Sequence, residues 1–408
     1  MRTRKRSARR TLLIVALVSC TTVWLSWAQE DTWRRSERME FWSMQRRGAN
    51  YGPGRLRPDA FRAAARAGIE FFRLRLESLA PQQRDFLIGD ADHYQRLNAT
   101  DLALLRTILD EADKNGIKIV LTMFSLPGCR AKRDVTDPSD GRLWRDEAYQ
   151  RQAFALWRDL ARQMKGHPSI VAYNPLNEPH PEREFGFDKP DDPRFASWLE
   201  RIRGTTPDLD RFNRKMVAAI READADTPVI LDGWFYADPG GFRYNVPVAD
   251  YRTLYALHNL GPWKFTTFRV NNGRFAYPDR MPAKNNAVAK WTIDNLKALV
   301  EPVEAFAARH QIPPNRIIAS EFWCDRRIPG AAAYLADELR IYNEHGWHWA
   351  FYTFRPEGAW TGLDYEIPPT AKLAQIWDAE KRGEDLERLK PRGGNPVWAV
   401  IQRALSHQ

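Results

Sequence analysis

Eight short apolar runs, most of them followed by a stretch with helical periodicity, constrain this chain more than any other feature of its sequence. The runs lie at Arg47–Gly52, Ile69–Leu76, Ile117–Phe124, Ile170–Asn177, Pro228–Asp232, Leu254–His258, Ile317–Glu321 and Trp347–Phe354. Between and after them, helices are expected at Pro58–Ala67, Thr100–Lys114, Glu147–Lys165, Leu209–Ala225, Ala287–His310, Ala331–His345 and Asn395–Leu405. Apolar side chains recur there at three- and four-residue spacing, as at Leu102, Leu105, Ile108, Leu109 and Ala112. Gly68, Gly116, Gly166 and Gly346 stand where four of these helices should stop. The pattern is thinnest at the first strand and the fifth helix. Counted this way, strand–helix alternation predicts an α/β fold, a single (β/α)8 TIM barrel over residues 29–408, rather than a doubly wound sheet.

Residues 1–28 read as an export signal. Arg2, Arg4, Lys5, Arg6, Arg9 and Arg10 precede an apolar run from Leu12 to Trp27, and Ser26-Trp27-Ala28 suits cleavage after Ala28. Arg9-Arg10 resembles a twin-arginine signal, and Leu17-Val18-Ser19-Cys20 resembles a lipoprotein box. The apolar run continues past Cys20, which argues against lipidation. At 16 residues it is shorter than the roughly 20 that span a bilayer. The expectation is a periplasmic or secreted protein, with a membrane anchor only through an uncleaved or lipidated leader. The formal charge of +10 belongs largely to this segment. Without it, 56 basic face 52 acidic side chains, a formal +4, and no basic block with interleaved aromatics stands elsewhere. Nucleic acid is therefore not an expected partner.

Chemistry gathers at strand ends. The fourth run ends in Asn177-Glu178-Pro179, where proline cannot continue a ladder. The seventh ends in Glu321. Two carboxyls at the mouth of a barrel suit an acid and a nucleophile on either side of a glycosidic bond. Glu178 is taken as acid/base and Glu321 as nucleophile, with Asn177 donating to the sugar 2-hydroxyl. Arg73 would keep Glu321 ionised, and Arg75, two residues on and on the same face, is its rival. His258 would bond a carboxylate or a sugar hydroxyl. Trp234, Trp263, Trp323 and Trp360 follow strand ends and are candidate stacking platforms.

These residues resemble glycoside hydrolase family 5, the cellulase-type family of clan A, over nearly the whole mature chain. Asn177-Glu178-Pro179 and Glu321-Phe322 carry the resemblance. Phe72-Arg73-Leu74, Pro127-Gly128, His258, Pro262 and Phe265-Thr266 support it. It implies catalytic roles for Glu178 and Glu321 and supporting roles for Arg73, Asn177 and His258. Three positions depart from the family pattern. Phe124 stands where His is frequent, Leu260 where Tyr usually follows the sixth-strand His, and Tyr352 where Trp is usual. The displaced Tyr normally helps orient the nucleophile.

The expected activity is a retaining β-glycoside hydrolase, endo-acting on a β-1,4-linked glucan or mannan, monomeric and without a cofactor. Two alternatives stand beside it. One is a clan A hydrolase of another polysaccharide, such as xylan or a bacterial exopolysaccharide. The other is a carbohydrate-binding barrel without turnover, for which Leu260 and Phe124 are the motive. No metal site is expected. His180, Glu182 and Glu184 share a Pro-rich loop without ligand geometry and read as solvated charges. Cys129 and Cys324 would follow strands on opposite sides of a barrel, beyond the about 7 Å that a disulfide spans, so both are expected free.

Overall fold

The computed structural model describes residues 37–52, 57–76, 89–90, 92–130, 140–283, 287–356, 358–382, 384, 390 and 392–406. The leader read at 1–28, with Cys20, lies outside the described residues. Eight strands run in chain order: β1 (Arg47–Tyr51), β2 (Phe71–Arg75), β3 (Lys118–Thr122), β4 (Ile170–Asn174), β5 (Val229–Asp232), β6 (Thr253–Asn259), β7 (Ile317–Phe322) and β8 (His348–Phe351). Each pairs in parallel with its neighbours in sequence, and β8 pairs with β1, so the sheet closes into the expected (β/α)8 barrel. The main helices are α1 (Pro58–Ala67), α2 (Ala99–Lys114), α3 (Glu147–Met164), α4 (Leu209–Arg221), α5 (Ile293–His310), α6 (Ala331–His345) and α7 (Pro396–Leu405). Their starts are set locally. Pro58 opens α1, while the side chains of Asn98, Asp146, Asp208 and Thr292 accept first-turn N–H groups of α2, α3, α4 and α5.

Three departures from expectation have local causes. Between β5 and β6 the chain makes a turn at Trp234–Ala237, left-handed at Phe235, Tyr236 and Ala237, and then a 3-10 turn at Pro239–Arg243. Phe242 of that second turn packs edge-on against Phe306 of α5, covering the barrel in the fifth unit, where strict alternation calls for a helix but the sequence pattern is thinnest. The helix after β6 begins at Ile293 rather than Ala287, because Val288–Ala289 pairs antiparallel with Met281–Pro282. The polar stretch 181–207 is not a plain loop. It carries a 3-10 turn, Pro181–Phe185, and a helix, Phe195–Ile202, whose Phe195 and Trp198 are buried.

Alternation along each strand sorts inward from outward residues. The lower interior holds Phe71, Val120, Val171, Ala172, Ile230, Leu254, Ala256, Ile318 and Ala350, with Met39 and Trp42 in the same cluster. Trp42, fully buried, donates its indole N–H to the Val171 carbonyl at 3.0 Å and meets Phe71 edge-on. Burying such a side chain contributes about 1.5–3 kcal/mol, and it plugs one end of the barrel. Two residues further along the inward faces come Asn50, Arg73, Thr122, Asn174, Asp232 and His258, all buried and all polar. The apolar plug thus leaves the polar layer to the other end, where the strands finish.

Glu321 joins that layer through a break in the alternation. Ile317 and Ala319 belong to the outer core that packs against the helices, so strict period two would send Glu321 outward. The register shifts at this point, with Leu257 paired to Ala319 but His258 to Glu321. Ser320 is the extra residue. The bulge re-aims Glu321 to the inside, and the Ser320 carbonyl accepts the Asn50 amide at 2.7 Å.

Candidate active site

Arg73 is the hub of the polar layer. Its Nη1 donates to Glu321 Oε1 at 2.5 Å and to Asn50 Oδ1 at 3.1 Å. Its Nη2 donates to Asn174 Oδ1 at 2.7 Å and Asn177 Oδ1 at 2.5 Å, with Asp232 Oδ2 at 3.4 Å, and its Nε donates to Asn174 at 3.1 Å. A planar fork with several fixed donors is what guanidinium offers and ammonium does not. It locks residues from β1, β2, β4, β5 and β7 into one arrangement. Asn177 has its carbonyl oxygen turned to Arg73, which leaves the NH2 end to face outward from the hub.

Glu178 is held by its backbone. Its φ of 49° is left-handed, a conformation that costs an ordinary residue about 1–2 kcal/mol. The Glu178 N–H donates to Asp232 Oδ2 at 2.9 Å, and the Asn177 N–H donates to the Met123 carbonyl at 2.8 Å. His180 Nδ1 lies 2.6 Å from the Glu178 carbonyl, and its ring stacks on Tyr236 at 4.0 Å. The carboxyl itself meets His258, with Nδ1 2.9 Å from Glu178 Oε1. The same nitrogen is 3.9 Å from Glu321 Oε2, and His258 Nε2 is 3.5 Å from Asp232 Oδ2, a charge contact too long for a strong hydrogen bond.

These charges set the protonation states. Burial pulls the His258 pKa down, but Glu321, Asp232 and Glu178 outweigh it and hold it above the ordinary value. Burial pushes Glu178 up. The hydrogen bond and charge of His258, with Arg73 and His180, outweigh that and bring it below the usual carboxylate value. Glu321 is pushed up by its own burial and by Glu178 and Asp232, against the pull of His258 and Arg73. The proton of the Glu178–His258 pair therefore rests on His258, whose Nδ1 lies 2.9 Å from Glu178 Oε1 and can pass it to that carboxyl.

Glu178, Glu321 and His258 each offer a donor atom within 4.8 Å of the others, so these three could hold a metal ion. Arg73, bonded to Glu321, already supplies a fixed positive charge there. The donor set is better described as two carboxylates sharing an imidazole.

The structure brings together Glu178, Glu321, Arg73, Asn177 and His258. It treats the four tryptophans differently. Trp234 is fully buried and meets Phe195 and Trp198 edge-on, so it has no face open to a ligand. The cause is the left-handed turn that follows β5, which packs Trp234 inward. Trp323 and Trp360 form an aromatic cluster with Tyr352, with ring centroids 5.3–6.0 Å apart, immediately beyond Glu321. Trp360 is 44% exposed and Trp263 is 47% exposed, on the loop after β6.

Glu182 overturns the expectation of a solvated loop charge. It is fully buried, and burial pushes its carboxyl up to about 8. Glu184 instead lies by Arg145 at 3.3 Å. Cys129 and Cys324 are both buried and not joined in a disulfide. Sequence reasoning missed Asp232, Asn174 and Asn50. Asn174 and Asp232 each close an otherwise apolar strand, which is the signal that picked out Glu321, whereas Asn50 stands inside β1 before Tyr51 and carries no such signal.

A family model for cellulase, glycosyl hydrolase family 5, matches residues 36–307. A β-xylosidase from Phanerodontia chrysosporium is 26% identical over 163 residues, which are 40% of this chain and 30% of that protein; the match thus leaves most of that relative's length uncovered. The endoglucanase Cel5A of Pseudomonas stutzeri superposes with a TM-score of 0.57 at 18% identity, covering 88% of this chain and 93% of that one. Thermotoga maritima Cel5A, solved with cellobiose, gives 0.59 at 14% identity, covering 88% and 97%. At these identities the two structures speak for the fold alone.

Proposed function

This chain belongs to glycosyl hydrolase family 5, the cellulase family, and from that premise we propose a retaining enzyme that cuts within β-1,4-linked glucan or mannan. That it is a glycoside hydrolase follows from the family. The stereochemical course rests on one observation: a carboxyl oxygen of Glu178 and one of Glu321 lie within 4.8 Å. Retaining enzymes hold their carboxyls about 5–5.5 Å apart, whereas inverting ones leave about 6.5–9.5 Å for a water.

Glu321 attacks the anomeric carbon while Glu178 gives its proton to the departing oxygen. One C–O bond forms as the glycosidic one breaks, with positive charge spread over the ring in between. The proton comes from the Glu178–His258 pair. Glu178 then takes a proton from water, which attacks the glycosyl-enzyme and frees Glu321. Arg73 orients Glu321, and its bond to the Asn177 oxygen leaves the amide NH2 to meet the sugar 2-hydroxyl. The Trp323–Tyr352–Trp360 cluster supplies apolar ring faces for the sugar held by Glu321. A polymer substrate accords with action outside the cytoplasm, for which the leader at 1–28 is the support.

The test is proton NMR of the first product released from a panel of soluble β-glucans, mannans and xylans. The β-anomer should appear first and mutarotate afterwards, and Glu178→Gln should release none at the wild-type rate. Initial α-anomer would overturn retention. Activity on xylan alone would move the substrate assignment to pentose polymers.

A further inference from the structure

Behind the active site, one face of α6 carries three polar side chains spaced a turn apart. Tyr334, Glu338 and Tyr342 are fully buried, among apolar neighbours on the same helix such as Leu335 and Leu339. Asn259, the residue after His258 at the end of β6, is buried too and donates its amide to both Glu338 carboxyl oxygens, at 3.1 and 2.9 Å. Tyr342 donates its hydroxyl to the same carboxyl and meets Phe322, the residue after Glu321, edge-on at 5.1 Å. Tyr334 donates to the Gly261 carbonyl at 2.6 Å, just beyond Asn259. One helix face thus grips the two residues that directly follow His258 and Glu321.

The grip lies where the strand register changes. Leu257 pairs with Ala319, but His258 pairs with Glu321 and Asn259 with Phe322, because Ser320 is left out. In plain register the last pairs would be His258 with Ser320 and Asn259 with Glu321. Period two would then turn the Glu321 carboxyl outward to α6, where Glu338 already stands, and Phe322 into the barrel. Glu338 ties α6 to β6, Tyr342 ties α6 to β7, and the bond between them holds both ties at one height. The strands return to plain register only if one tie breaks. A directed amide–carboxyl bond fixes that height, which apolar packing alone specifies less sharply.

We infer that Glu338 is a positioning residue for the nucleophile: with Asn259 and Tyr342 it holds the register in which Glu321 points to Arg73 and His258. It touches neither the substrate nor the reacting atoms, and its effect reaches Glu321 through the backbones of β6 and β7. The inference rests on the assignment of Glu321 as nucleophile, but the register is read without substrate, so the two fail separately.

Glu338→Leu leaves the Asn259 amide unpaired, whereas Glu338→Gln keeps an acceptor for it. A triple variant, Asn259→Leu with Glu338→Leu and Tyr342→Phe, removes every partner of the Glu338 carboxyl together with it and is the one to use if the single change does not fold. The reagent 2,4-dinitrophenyl 2-deoxy-2-fluoro-β-cellobioside, or its manno counterpart, reports on Glu321: a carboxylate oxygen bonds to the anomeric carbon as dinitrophenolate leaves with the electron pair. The amplitude of the dinitrophenolate burst counts intact sites, and its rate constant reads the placement of Glu321. That rate constant should fall about 10²-fold in Glu338→Leu and in the triple variant, as for a displacement on the order of 1 Å, and stay within about threefold of wild type in Glu338→Gln. Crystal structures should show Glu321 withdrawn from Arg73 in both slow variants and in place in Glu338→Gln. A lowered Tm or burst amplitude with an unchanged rate constant would make Glu338 merely structural and overturn the inference, as would an unmoved Glu321 in the triple variant. Absence of a burst from the wild type with either reagent would remove the hydrolase reading, while the crystal structures would still decide the register.

Discussion

Glu178 and Glu321 sit at the same end of the barrel, yet they are held in opposite ways. Glu321 lies inside a strand, its side chain only 5% exposed, turned inward by a bulge and fixed by a 2.5 Å ion pair with Arg73. Glu178 lies four residues past β4, its side chain 27% exposed, with a left-handed backbone pinned by Asp232 and a carboxyl shared with His258. A nucleophile must keep one position, and a buried arginine bond provides it, while the same guanidinium opposes the rise in pKa that burial brings. An acid/base must exchange a proton twice per turnover and reach an oxygen that comes and goes. Partial exposure and a histidine partner suit that task. The difference between the two supports is the physical content of their different roles.

The largest effect should come from breaking Glu321. Glu321→Gln should lower kcat on any substrate by at least about 10⁴-fold, since no other group in the layer can form the covalent intermediate. Glu178→Gln should cost about 10²–10⁴-fold on a polymer but far less on an aryl glycoside whose phenolate leaves without a proton. Equal losses for the two variants on the aryl substrate would erase the proposed division of labour.

Asp232 sharpens the comparison because it holds the Glu178 N–H and not the Glu321 carboxyl. Asp232→Ala should lower kcat about 10–100-fold on polymer with KM little changed, as expected when one reacting group is displaced by a fraction of an ångström. On the aryl glycoside the loss should be smaller, which a general loss of folding would not produce.

The pH profile separates the two supports again. Glu321 has a raised pKa, so the nucleophile begins to be lost, as pH falls, above the ordinary carboxylate range. His258 also has a raised pKa, so the proton of the Glu178–His258 pair persists, as pH rises, beyond the ordinary histidine value. A bell in kcat/KM with both limbs shifted up is expected. His258→Gln should move the alkaline limb down and leave the acid limb closer to its place. An unchanged alkaline limb would show that the pair does not hold the proton.

The smallest effect lies behind Glu321's side of the barrel. Glu338 of α6 is fully buried, accepts the Asn259 amide at 2.9 Å, and is pushed up to about 8 by burial. A carboxyl whose folded pKa exceeds its unfolded one stabilises below the unfolded pKa and loses that contribution as pH rises through the folded value. Stability should therefore fall between about pH 4.5 and 8. Glu338→Gln should flatten that fall, with Tm changing by about 2 °C less between pH 5 and pH 8. An equally steep fall in the variant would place the titrating group elsewhere, with Glu182 the next candidate.

Much of the site was legible from strand ends. Asn177-Glu178-Pro179 marks its own exit from the sheet, and Arg73 is conspicuous in an apolar run. His258 follows Leu254 and Ala256 at period two, so its inward face can be read from the alternation. Trp234 could not be judged from the chain, because a tryptophan after a strand is equally suited to rim and core. Three left-handed residues, none of them glycine, decided for the core. Glu182 was misjudged because loop position suggests solvent, whereas the 181–207 segment folds back and packs Phe195 and Trp198 against Trp234 and Phe235 in the main core.

By itself the sequence determined the repeating unit and the residue types at its strand ends, because periodicity and proline or glycine stops are local properties of the chain. It could not determine which way Glu321 points. Period two sends that side chain to the helices, and only pairing of β7 with β6, with Ser320 squeezed out of register, turns it toward Arg73 and Glu178. Nor could it gather Asn50, Asn174 and Asp232 around one guanidinium, since they lie 23 to 159 residues from Arg73 along the chain. A closed barrel decides such contacts by geometry: residues at one height on every strand meet in one layer, whatever their distance in sequence.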